Sequence, residues 1–115
     1  MTDSGLVLVH HDAPADLDFR RWLEQEYFPA IMPLMGVKRV TRLRSTSPEG
    51  LLRPYLTVLH TDDVRRTVEA TSDAAWRELA SEAVKRGVSQ REIVPYRQLF
   101  ELEAVAQPIP ERGML

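Results

Sequence analysis

An α+β fold with one four-stranded sheet is what the sequence predicts, and three observations carry that expectation. Four short runs rich in branched and aromatic residues alternate with helical patterns, in the order strand, helix, strand, strand, helix, strand. The stretch FRRWLEQEYFPAIMPLMGV, Phe19 to Val37, places Phe19, Trp22, Leu23, Tyr27 and Ala30 on one helical stripe. A chain of 115 residues suffices for one core and falls short of two. The expected organisation is one domain over residues 1–105 followed by a tail over 106–115.

The first strand is read from Leu6 to His11 and is ended by Asp12, Ala13 and Pro14. Arg20, Arg21, Glu24 and Gln25 fall on the solvated side of the first helix. Pro29 lacks a backbone donor and is expected to kink or end that helix near Glu26, with Pro33 and Gly36 completing the stop. GVKRVTRLRS and PYLTVLHT read as the second and third strands, a hairpin closed by the turn-rich SPEGLLR. Thr61 or Asp62 is the expected N-cap of a short helix through VRRTVEA, and Ser72 that of the next. That second segment carries Trp76, Leu79, Ala80, Ala83 and Val84 inward and closes on Lys85, Arg86 and Gly87. IVPYRQLFELEAV, Ile93 to Val105, is expected as the last strand, and the proline-rich residues beyond it as a tail or an arm that grips a partner.

This order is the ferredoxin-like βαββαβ arrangement. Right-handed crossovers put both helical blocks on one face of the sheet, so the other face is bare. Its Leu, Val and Tyr side chains predict that a second copy or a ligand covers it, and a homodimer is the expectation.

Composition excludes several classes. A formal charge of −2 gives no basic field for nucleic acid, and no apolar run reaches the length of a membrane span. The absence of cysteine removes disulfide, thiolate and cysteine–zinc chemistry. With no cationic and apolar leader pattern at MTDSG, the expected location is cytoplasmic. No phosphate loop, dinucleotide fingerprint or nucleophile elbow occurs, so no organic cofactor is expected. Neither HxH nor HExxH spacing is present, and no metal site is expected.

The candidate site residues are the three histidines, His10, His11 and His60, the arginines Arg39 and Arg42, and Tyr27. The first and third strands are expected to be adjacent and parallel, so that the ends that carry these histidines lie side by side. Alternation sends His10 and His11 to opposite faces. Lys38, Arg42 and Arg44 share one face of the second strand and Arg39 takes the other. They read either as a charged edge that blocks stray pairing or as a source of one inward anion partner. Trp22 and Trp76 read as core. Tyr55, Tyr96 and Phe100 suit an aromatic pocket or dimer packing equally.

Phe19, Trp22 and Pro29, followed by Gly36 and Arg39 or Arg42, resemble the first-helix signature of the dimeric α/β-barrel superfamily, most closely its EthD-like group. PYLTVLHTDD and AAWRELA are similar to other segments of that group, and the resemblance runs from Leu6 to Leu102. The superfamily includes monooxygenases, polyketide cyclases, isomerases, decarboxylases and haem-linked enzymes. The resemblance implies a small enzyme without a cofactor that acts on a hydrophobic cyclic or aromatic metabolite, with its site between the first helix and the open sheet face. It would use Tyr27 as donor to an oxygen, a histidine as proton acceptor, and Arg39 or Arg42 as anion partner. Where that group carries a helix histidine, this chain has Tyr27. The alternative is a non-catalytic dimeric metabolite-binding or accessory protein.

Overall fold

The structure is a computed structural model that describes residues 3–104. Strand β1 (Gly5–Asp12) leads into α1 (Leu17–Trp22), a π-helical segment (Leu23–Tyr27) and α2 (Phe28–Met35). The hairpin β2 (Val37–Arg44) and β3 (Tyr55–Thr61) follows, then α3 (Val64–Ala70), α4 (Ala74–Lys85) and β4 (Ser89–Arg97). The sheet order is β2-β3-β1-β4, and every neighbouring pair is antiparallel. The expected fold class is observed: four strands, with the helices on one face.

Pro29 does not end the first helix. Its ring would collide with the carbonyl of Gln25 in a regular α-helix, and it cannot donate to that group. The backbone widens instead into the π segment, where the N–H of Phe28 reaches the carbonyl of Leu23. The helix then runs on to Met35 and stops at Gly36, whose φ of 67° suits a residue without a Cβ. Leu23, Tyr27, Phe28, Ile31 and Met35 all remain on the buried side.

Other local expectations shift by a residue or more. Asp63, and neither Thr61 nor Asp62, caps α3, accepting from the N–H of Arg66 at 3.0 Å. Thr61 is turned inward, accepting from the N–H of Asp63 at 3.0 Å. Asp73 rather than Ser72 precedes α4, with no side-chain cap bond. The last strand starts earlier than expected and ends at Arg97, because its neighbour β1 runs out at Gly5, the partner of Arg97. Residues 98–104 carry no regular structure, and the predicted tail over 106–115 lies outside the described residues.

The larger correction concerns strand direction. The helical crossover makes β1 and β2 parallel with β3 between them, and the hairpin reverses β3. β1 and β3 are therefore antiparallel neighbours. His60 stands opposite Leu6, whereas His10 and His11 stand opposite Leu56 and Tyr55 at the other end.

Alternation sorts the sheet into two faces. Val7, Val9, His11, Val40, Tyr55, Thr57, Leu59 and Ile93 point toward the helices and form the sheet side of the core. The opposite face presents Leu6, Leu8, His10, Leu56, Val58, His60, Val94 and Tyr96, with no helix over it among the described residues.

Candidate functional site

The π segment brings Tyr27 to the sheet. Its phenol lines a small apolar cavity of about 40 Å³, which also touches Leu23, Phe28, Ile31 and Leu59. That volume admits about three water molecules. The Tyr27 ring packs on Trp22 and Phe28, with centroids 5.2 and 5.7 Å away. Its hydroxyl has no hydrogen-bond partner among the described residues. Burial raises the phenol above its ordinary pKa, although the positive charge of Arg91 works the other way.

His11 enters the same cavity from β1. Its Nδ1 lies 3.3 Å from the carbonyl of Asp12, which can only accept, so Nδ1 carries the proton. Nε2 is then an acceptor for the Thr57 hydroxyl at 3.2 Å. Burial is the main cause that lowers the His11 pKa. The Asp12 carbonyl opposes this, and the charges of Arg42 and Arg91 reinforce it. At neutral pH the cavity therefore holds a neutral imidazole and a neutral phenol. Such a pair can accept a proton at nitrogen and donate a hydrogen bond to oxygen.

The third polar group is Arg91. A β-bulge separates the pairs His10–Glu92 and Asp12–Ser89, and Gln90 takes a left-handed φ of 56° there. Arg91 alternates with Ile93 onto the helix side beside this bulge, where it lines the cavity and lies 5.6 Å over the Trp76 ring. Both Arg91 and Trp76 are half-buried, which makes them the rim of the chamber.

Of the six sequence candidates, Tyr27 and His11 meet at this cavity and four lie elsewhere. His10 is on the open face, and so is His60, whose Nε2 lies 3.1 Å from the Thr41 hydroxyl and whose Nδ1 lies 3.4 Å from Arg39 Nη2. Burial, Arg39 and Lys38 lower the His60 pKa, in that order. Arg42 is on the helix side but stacks at 4.5 Å on Tyr55, outside the cavity. The expected site between first helix and open sheet face is thus displaced: the cavity lies on the covered face. Thr57, Arg91 and Trp76 were missed as site residues. Thr57 was legible as the residue alternating with Tyr55 and Leu59, and Arg91 alternates with Ile93 but fell outside a last strand read as starting at Ile93. Among the described residues no group of three or more His, Asp or Glu is placed to hold a metal ion.

No family model matches the chain, and no curated protein matches it. Solved structures do. An EthD family protein from Bacillus halodurans aligns with a TM-score of 0.60 at 14% identity, covering 84% of this chain and 99% of its own. The fold is ferredoxin-like, as in the EthD group. A dimeric ferredoxin-like protein of unknown function from Bacteroides fragilis gives 0.53 at 10% identity, over 84% of this chain and 97% of that one. SnoaB, a cofactor-independent oxygenase from Streptomyces nogalater, gives 0.56 at 15% identity over 95% and 99%. At these identities the ferredoxin-like likeness is one of fold. No described helix of this ferredoxin-like domain is long and apolar enough to cross a membrane.

Proposed function

We propose that this domain binds a hydrophobic cyclic or aromatic molecule bearing a phenol or ketone oxygen and acts on it without an organic cofactor. The observation that carries the reading is that Tyr27, whose hydroxyl has no partner among the described residues, and the neutral His11 line the same apolar cavity. His11 Nε2 accepts a proton from the activated C–H or O–H, releasing Thr57 from its bond. Tyr27 donates to the oxygen that gains charge, and Arg91 offsets that charge from the rim. Arg39, Arg42, His10 and His60 have no part in this step.

A ring is larger than the cavity as it stands, so Trp76 and Arg91 turn outward to admit it. Oxygenation, cyclisation and isomerisation all begin with the same proton abstraction. The fold likeness to SnoaB supports this class of chemistry and does not select among its members.

The domain acts as a homodimer joined through its open sheet face. The apolar residues there support this, as does the dimeric state of the Bacteroides fragilis protein of the same fold.

The small cavity also suits a non-catalytic dimeric binding protein, and one experiment separates the two. The protein is screened against tricyclic phenols and ketones by thermal shift, and the hits are followed by oxygen uptake and product analysis. Turnover lost in His11→Gln with binding retained supports the enzyme. Binding without turnover in the wild type supports the accessory protein, and no binding sinks the site.

A further inference from the structure

The strand-like pattern beyond β4 has no sheet to join. Leu99, Phe100 and Leu102 are 92%, 80% and 82% exposed. Phe100, Leu102 and Ala104 alternate with Glu101 and Glu103, the period of a strand with one apolar and one acidic side. Yet these residues form no ladder with the described part of the chain.

At the far edge of the sheet, β2 has an unpaired side. Arg42 and Arg44 point to its helix-side face, with their guanidinium groups 4.5 and 5.9 Å from the Tyr55 ring. Arg42 Nε and Nη2 are buried and have no hydrogen-bond partner among the described residues. The Tyr55 ring offsets part of the charge but satisfies neither N–H group. Between the two arginines, Leu43 is 48% exposed on the open face.

We propose that residues 99–104 of one copy add as a fifth strand to the β2 edge of a second copy, exchanged reciprocally. The proposal rests on the homodimer reading above. The spacing carries it: Glu101 and Glu103 lie two residues apart, as do Arg42 and Arg44. One register sets both carboxylates beside both guanidiniums and Leu102 beside Leu43, whether the added strand runs parallel or antiparallel. Arg42 Nε and Nη2 then donate to a carboxylate in charge-assisted bonds, which Glu24 of their own chain, acting on Arg42 through its charge, does not accept. In each copy the β2 edge is then covered by a short strand that carries two carboxylates, a poorer template for uncontrolled association. The occupant is a second copy because the arm starts at the Gly5 end of the sheet, where Phe100 and Glu101 share a pocket with their own Lys38 and Arg39. Arg42 and Arg44 stand at the opposite end of β2, beside Thr57 and Tyr55.

The chain has no cysteine, which makes the test clean. Directly opposed strand residues sit within disulfide range. Leu43→Cys with Leu102→Cys in one chain, both at exposed sites, is oxidised under mild conditions beside a Leu52→Cys, Leu102→Cys control. A covalent dimer in the first chain and none in the control is expected. Glu101→Arg with Glu103→Arg should weaken the dimer at least tenfold in Kd by sedimentation, with unchanged thermal unfolding at high protein concentration. An internal disulfide in a monomer, or no disulfide in a protein that sediments as a dimer, overturns the exchanged strand alone. A wild-type chain that sediments as a monomer overturns the dimer reading as well.

Discussion

His11 lies flat against Tyr55, with ring centroids 5.7 Å apart and planes inclined by only 14°. The stack fixes the imidazole so that Nε2 meets Thr57, and Arg42 covers the outer side of the same tyrosine. Tyr55 is thus a wall between the cavity and the basic edge of the sheet. The arrangement ties the site to the edge strand through one ring.

Tyr27→Phe removes a hydroxyl that bonds to nothing among the described residues. Stability should stay within about 1 kcal/mol of the wild type, since no hydrogen bond to the described residues is lost. Ligand-induced thermal shifts should fall. A loss of stability in urea titrations would mean that the hydroxyl has a structural partner.

Acid should destabilise the domain through His11. Its folded pKa is below the ordinary 6.5, so the unfolded chain takes up a proton first. This contribution is complete above the unfolded value and is lost as the pH falls below it toward the folded pKa. His60 has the same sign. Urea midpoints measured from pH 7 to 5 should drop, and His11→Gln should flatten the slope by about one proton at most. Asp3, whose pKa Arg97 lowers, acts in a separate window below 3.8.

Thr67 is fully buried, and its hydroxyl lies 2.8 Å from both the Met35 carbonyl and Thr61 Oγ1. It joins the end of α2 to the start of α3. Thr67→Val keeps the shape and strands the Met35 carbonyl, while Thr61 Oγ1 still accepts from Asp63, at a cost of about 1–3 kcal/mol in equilibrium unfolding. A neutral result would show that water replaces the hydroxyl.

Gly5→Ala should cost about 1–3 kcal/mol. A Cβ there would meet the Tyr96 carbonyl oxygen at 2.0 Å and Val64 Cγ2 at 2.6 Å, so β4 or α3 must move. Gly50→Ala, in open space but at a φ of 79°, serves as a control for backbone strain alone.

The strand and helix order was legible because it rests on local periodicity. Trp22, Leu23 and Tyr27 show their inward side within one stretch of chain, and the alternation in PYLTVLHT already separates Thr57 from His60. The histidine geometry was not legible. Whether His60 joins His11 depends on the direction of β3 relative to β1, a property of two distant segments. The π widening was missed because Pro29 signals only that a regular helix must yield, not how.

From the amino-acid order alone come the fold class, the uncovered sheet face and the inward setting of Tyr27, since each follows from spacing within a few residues. Only the tertiary structure decides that His11, Thr57 and Arg91 share a chamber with that phenol while His60 stands apart. Strand direction and register make that choice, because side chains far apart in sequence meet only through the pairing of the strands that carry them.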